Sequence, residues 1–204
     1  VLFVHGLFMT GVDMTLLRHR VGRCGFAVRQ FSYRSIRRGA PWNAARLQEL
    51  LNALDAHVVH LVGHSLGGLL IRQWLHDYPD QRPGRVVTFG TPHHGSHVAR
   101  RLSRCRAGRT VMGRSLPALL GDVPPWRGVR ELGVIAGTRG IGVGWLTPGL
   151  ARPHDGTVAT DEARLEGMTD YVEIPVSHTA MLFSRRTARQ ICAFLTGGRF
   201  IHAG

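Results

Sequence analysis

Between the apolar run Val58–Val62 and the helix-like stretch Leu69–Tyr78 lie five residues, Gly63-His64-Ser65-Leu66-Gly67, and this strand–turn–helix passage constrains the fold more than any other segment. A chain that leaves a strand and enters a helix so abruptly must turn sharply, and G-x-S-x-G is the pattern that puts a serine at the apex of that turn. Gly63 and Gly67 carry no Cβ to clash with a strained backbone at Ser65, and Gly68 lets the helix start pack against its neighbours. A serine hydroxyl is a poor nucleophile until a base takes its proton, and an exposed turn lets base and substrate reach it together. The N–H of Leu66, at the helix start, then points toward the place where an oxyanion would develop. In a chain with 26 glycines the pattern also arises by chance; its two flanks give it weight.

The rest of the chain alternates in the same way. Val1–His5 reads as a buried strand, and Asp13 as the N-cap of a helix running to about Cys24. Ala27–Tyr33 alternates as a second strand. Pro41 suits the first turn of a helix that buries Leu47, Leu50, Leu51 and Leu54. Arg85–Phe89, Leu132–Gly137 and Tyr171–Val176 supply further strands, and a last helix is expected from about Thr179 to Leu195. Strands alternating with helices argue a parallel sheet covered on both faces, in which sites form beyond the carboxyl ends of the strands. With 204 residues, 44% of them hydrophobic, the chain fits one domain, residues 1–204, with a full core.

Composition removes several function classes. The formal charge is +13 and all 26 basic residues are arginine. Without lysine there is no P-loop lysine, no Schiff-base lysine and no serine/lysine dyad. Gly137–Gly144 is glycine-rich after a strand, but its spacing is not that of a dinucleotide-binding turn. Positive charge favours nucleic acid, anionic lipid surfaces or acidic substrates. The densest stretch, Arg100, Arg101, Arg104, Arg106, Arg109 and Arg114, has no aromatic residue among its arginines to stack bases, so no nucleic-acid partner is expected. No apolar run approaches the roughly 20 residues of a membrane helix. Cys24, Cys105 and Cys192 form no C-x-x-C; each reads as a small buried hydrophobe, with at most one pair bridged. The chain opens without Met inside an apolar run, and the compartment is left open.

Twelve histidines compete for the role of base. His178 lies just past the last strand, on the sheet edge that carries Ser65, and chain order favours it. His93 and His94, which also follow a strand, are the rivals. His64 adjoins the serine, but the turn sets its ring elsewhere. The carboxylate that orients the base is expected at Asp155, where Gly156 supplies a tight turn, with Asp161 and Glu162 as alternatives. A second oxyanion donor is expected after the first strand, at the N–H of Leu7 with Phe8 next. His93, His94 and nearby acids lack the spacing of a metal site.

At these residues the chain resembles the α/β-hydrolase superfamily and, within it, bacterial lipases and esterases. The likeness is carried by Val4-His5-Gly6-Leu7, Gly63-His64-Ser65-Leu66-Gly67-Gly68, Gly90-Thr91-Pro92-His93-His94-Gly95-Ser96, Asp155-Gly156 and Ser177-His178, in the family's order. The resemblance implies a minimal α/β-hydrolase fold: about six mainly parallel strands, helices on both faces, the serine strand near the middle, and a start at the full fold's third strand. It implies Ser65 as nucleophile, His178 as general base and acid, Asp155 as its partner, and Leu7 and Leu66 as the oxyanion hole. Phe8, His64 and Thr91 would shape the substrate pocket, with His93 and His94 structural. No cofactor and no metal are implied. The substrate would be a carboxylic ester, lipid or short-chain, and an anionic membrane surface is a further candidate partner. Residues 97–128 would form a small cap, either a gate that opens at a lipid surface or an ordinary covering helix pair. Acyl transfer by the same triad, and a basic non-catalytic module that binds an anionic membrane or partner, are the alternative readings.

Overall fold

Side chains alternate across a strand, and here that alternation divides the core in two. In the computed structural model, which describes residues 1–128, 130–142 and 148–202, six strands form one all-parallel sheet in the order β2-β1-β3-β4-β5-β6. They are β1 (Leu2–Val4), β2 (Arg29–Phe31), β3 (Leu61–His64), β4 (Val86–Phe89), β5 (Leu132–Gly137) and β6 (Asp170–Ile174). Leu2, Val4, Leu61, Val86, Leu132 and Val134 face one layer, built from helices α2 (Ala40–Asn52) and α3 (Leu66–Asp77) through Leu47, Leu51, Ile71 and Trp74. Phe3, Val62, Val87, Phe89 and Ile135 face the other, where α1 (Thr15–Gly22) and α8 (Arg185–Gly197) contribute Leu17, Val21, Ile191 and Phe194. Helices cover both faces, and β3 lies inside the sheet between β1 and β4, as expected.

Several boundaries differ from the sequence reading, each for a local reason. The serine strand is Leu61–His64 and not Val58–Val62: Leu2 pairs with Leu61 and Val4 with Gly63, so the ladder runs through the glycine while Val58 stays exposed. Asp13 lies within a 3-10 turn, Val12–Met14, and accepts from the Thr10 N–H (3.2 Å) instead of capping α1. The last helix is broken in two. Ser184 accepts from the amides of Arg186 and Thr187 (3.1 and 3.2 Å), starting α8 there and leaving Ala180–Phe183 as a separate 3-10 turn.

The cysteines also depart from the expectation of three buried hydrophobes. Because α1 and α8 pack on the same face, Cys24 beyond α1 meets Cys192 in α8, and the two are joined as a disulfide across 168 residues of sequence; Cys105 is free and exposed. Part of the Gly137–Gly144 stretch lies outside the described residues.

Residues 97–128 fold over the carboxyl ends of the strands. They comprise α4 (His97–Leu102), α5 (Arg106–Met112), a 3-10 turn at Gly113–Ser115, α6 (Leu116–Leu119) and an irregular return. Ala99, Met112, Ala118 and Leu119 pack on Leu66 and Leu69 of α3. Arg72 of α3 donates to the carbonyls of His93, four residues ahead of the segment, and of Pro124, within its return (2.7 Å each). A short helix α7 (Thr160–Ala163) follows the loop that carries Asp155.

Candidate active site

Ser65 sits where β3 gives way to α3, at φ 52° and ψ −120°, a left-handed conformation uncommon for a residue with a Cβ. Its surroundings are packed too closely to relax. A Cβ on Gly67 would lie 2.2 Å from the Val4 carbonyl oxygen, one on Gly63 2.7 Å from the Gly68 nitrogen, and one on Gly68 2.3 Å from Thr91 Oγ1. The Ser65 N–H donates to the Phe89 carbonyl and Thr91 Oγ1 donates to the Ser65 carbonyl, both at 3.0 Å. Thr91 is therefore buried beneath the turn and is not on the pocket wall where the resemblance put it.

Two loops at neighbouring strand ends bring Asp155 and His178 together. The His178 Nδ1–H donates to Asp155 Oδ2 at 2.7 Å, and the His178 amide donates to the Asp155 carbonyl at 2.8 Å. The other carboxylate oxygen, Oδ1, accepts from the amides of Thr157 (2.8 Å) and Val158 (2.7 Å). Gly156, at φ 94°, makes the turn that allows this. The glycine ending β4 matters equally: a Cβ on Gly90 would lie 3.0 Å from the His178 ring and 3.3 Å from Asp155 Oδ2. With Nδ1 protonated, Nε2 of His178 carries the lone pair. Ser65 and His178 line the same cavity.

Two of the rival residues, His93 and Glu162, are engaged with other partners. His93 is buried, with Nε2 to Thr88 Oγ1 (2.9 Å) and Nδ1 toward the Arg72 guanidinium (3.4 Å); burial first, then the Arg72 and His94 charges, hold its pKa well below the ordinary value. His94 and Asp161 are exposed. Glu162 ties the acid loop to the cap, accepting from the amides of Ala159 (3.0 Å) and His97 (2.5 Å) and from Arg100 (3.2 Å). His64 does not point away from His178. Its ring centroid is 4.8 Å from those of both His178 and Phe89, and neither ring nitrogen has a partner among the described residues. Burial, with the neighbouring His178 adding to it, holds His64 neutral.

The loop after β1 is fixed by a pair the sequence reading passed over. His5 is buried; its Nδ1–H donates to the Gly6 carbonyl (2.9 Å), its Nε2 accepts from the Tyr33 N–H (3.1 Å), and its ring stacks on Tyr33 at 4.3 Å. The Tyr33 hydroxyl donates back to the His5 carbonyl at 2.9 Å. The only signal for this pair was the adjacency of His5 to Gly6. Beyond it Phe8 turns through φ 62° and is exposed, and the amides of Leu7 and Leu66 pair with no backbone carbonyl among the described residues. A Cβ on Gly6 would touch His64 Nδ1 (3.0 Å) and Ser65 Cβ (3.3 Å), so this loop lies directly against the serine turn.

A cavity of about 240 Å³ opens over Ser65, His64 and His178, walled by Leu7, Phe8 and Met9 on one side and by Val98, Ala99 and Met112 of the cap on the other. Apart from the serine and the two histidines its lining is mainly hydrocarbon, an environment suited to an apolar group. Among the described residues no set of three or more His, Cys, Asp or Glu side chains is gathered as a metal ion requires. No helix among them is long and apolar enough to cross a membrane.

Known structures share this arrangement of chain. A Bacillus licheniformis lipase, BlEst2 in its mature form, superposes with a TM-score of 0.76 at 21% identity, covering 96% of this chain and 89% of its own. A metagenomic carboxyl esterase, MGS0156, gives 0.68 at 21% identity over 88% and 64%. The carboxylesterase CesB of Bacillus subtilis gives 0.60 at 13% identity over 97% and 83%. No curated protein sequence matches the chain. At these identities the superpositions speak for the fold, and the sequence pattern of the family itself matches residues 1–198. The serine turn, the parallel sheet beneath it and that match together place this chain in the alpha/beta hydrolase family.

Proposed function

We propose that the protein hydrolyses carboxylic esters through an acyl-enzyme formed on Ser65. The observation that carries this reading is the 2.7 Å bond from His178 Nδ1 to a buried Asp155, beside a cavity that also holds the strained Ser65. His178 Nε2 takes the Ser65 proton as Oγ attacks the ester carbonyl, then delivers it to the departing alcohol. Water enters by the reverse route, giving its proton to His178 and its oxygen to the acid, which leaves with Ser65 restored. Asp155 orients the imidazole and stabilises its charged form. The amides of Leu7 and Leu66 receive the oxyanion, and the stacked His5–Tyr33 pair keeps the first of them in place. The hydrocarbon lining of the cavity supports an apolar acyl group, in keeping with the lipase and carboxylesterase named among the structural neighbours.

Labelling the purified protein with a fluorophosphonate and mapping the modified peptide tests the nucleophile: label on Ser65, absent from Ser65→Ala, is the expected result. Label elsewhere, or none on folded protein with detergent present, would overturn the assignment. Turnover of p-nitrophenyl esters by Ser65→Ala and His178→Ala is expected to fall by about 10⁴ to 10⁶, the range for residues that act as a unit.

A further inference from the structure

Phe8 and Met9 form a wall common to two hollows. On one side is the apolar cavity over Ser65; on the other is a more open cleft of about 330 Å³ whose remaining lining is the segment Tyr33–Arg37. Unpaired arginines are common in a chain of net charge +13, so their presence alone says little. The position of these two singles them out. Arg34 and Arg37 bring two exposed guanidiniums to a cleft that shares its Phe8–Met9 wall with the cavity over Ser65, no Asp or Glu lines it, and neither arginine makes an ion pair among the described residues.

The backbone that carries them is held at both ends. Tyr33 is bound to His5 by its N–H, its hydroxyl and its ring, which ties the segment to the loop bearing Leu7. Farther along, Ser115 Oγ donates to the Ser35 carbonyl and the Arg114 N–H donates to the Ile36 carbonyl (2.8 Å), which ties it to the cap. The two cations are thus mounted on a fixed segment between the oxyanion loop and the cap, and little backbone ordering remains to be done when a ligand arrives.

We propose that this cleft binds an anionic group, carboxylate or phosphate, on the alcohol half of the substrate ester. The inference rests on the ester-hydrolase reading above. An acyl chain gains by burial, so the apolar cavity suits it; the alcohol must depart after the first step, so the open cleft suits that half. The guanidinium fork matches both carboxylate and phosphate oxygens. In the reaction the Ser65 Oγ–acyl bond forms, the acyl–alkoxy bond breaks, and the alcohol oxygen takes the proton from His178. The anionic group leaves unchanged, and water is the only co-reactant.

The test compares kcat/KM for butyrate esters of phenol, 3-hydroxybenzoate and 3-hydroxyphenyl phosphate, with phenyl succinate carrying the anion on the acyl half. Each anionic-to-neutral ratio is measured in the wild type, in the double variant Arg34→Gln/Arg37→Gln, and in Arg186→Gln, a change of an exposed arginine outside the cleft. Comparing ratios between proteins cancels differences in leaving-group reactivity. The wild-type ratio for the alcohol-side anions is expected to exceed that of the double variant by about tenfold, the scale of a hydrogen bond to a charged group. Which of the two is favoured more separates carboxylate from phosphate. In the wild type alone, raising NaCl to about 0.5 M is expected to shrink the preference, because the screening length shortens. Equal ratios in wild type and double variant, or a preference confined to phenyl succinate, would overturn the proposal. No turnover of phenyl butyrate together with no fluorophosphonate labelling would instead remove the hydrolase reading on which it stands.

Discussion

A carboxylate whose two oxygens are both engaged orients a base better than it competes for the proton. Asp155 is in that position: Oδ1 holds two loop amides and Oδ2 holds the His178 ring. Asp155→Asn would keep its oxygen on the two loop amides, turn its NH2 toward Nδ1 and so favour the tautomer with its proton on Nε2, facing Ser65. A fall of about 10⁴ in kcat with p-nitrophenyl butyrate is expected, with circular dichroism retained. Gly67 offers a second test at this scale. Alanine normally stabilises a helix relative to glycine, but here its methyl would meet the Val4 carbonyl oxygen at 2.2 Å. Gly67→Ala is therefore expected to lose about 1–3 kcal/mol in urea unfolding, with the sign opposite to that of helix propensity. Ser65, Asp155 and His178 stood out in the sequence as candidates because Ser65 and His178 come just after strands and Asp155 carries the turn glycine Gly156 beside it. His5 and Glu162 were not, because their roles are hydrogen bonds to Tyr33 and His97, residues 28 and 65 positions away in the chain.

Elements were readable where burial dictates them. Leu132–Gly137 was placed residue for residue because β5 is buried along its whole length and so reads as an unbroken small and apolar run. Reading failed where a single side chain decides a boundary. Apolar spacing alone extends the last helix from Thr179 onward; the Ser184 hydroxyl, by accepting two amides, starts α8 six residues later. Ser184→Ala is accordingly expected to cost about 1 kcal/mol of stability, seen as a lower midpoint in chemical denaturation. The cap is tied to the body through Glu162 at its start and Arg72 at its return, so its three short helices depend on partners in α3 and α7 more than on their own propensity.

For the molecule as a whole, buried neutral histidines set the response to acid. His5, His64 and His93 are all held below their ordinary pKa, chiefly by burial, and His60 falls to about 4, chiefly through burial with Arg85 and Arg130 adding to it. The unfolded chain takes up these protons below about pH 6.5 while the native one resists them. Their contribution is therefore fully present above that pH and is lost as pH falls toward 4, each fully buried histidine adding a slope of about 1.4 kcal/mol per pH unit. Thermal midpoints are expected to hold from pH 8 to about 6.5 and then decline; a flat profile down to about pH 4.5 would count against buried neutral imidazoles.

The Cys24–Cys192 bridge gives the covalent chain a different topology from the one its linear sequence suggests. It closes a ring that contains Ser65, Asp155 and His178, with β1 and the loop after it outside the ring, on the N-terminal side of Cys24. A protease that cuts once in the arginine-rich cap, after the exposed Arg106 for instance, opens the ring without dividing the molecule. Ser65 then belongs to one polypeptide and the Asp155–His178 pair to another, the two still linked through sulfur, running as one band on a gel without reductant and as two with it.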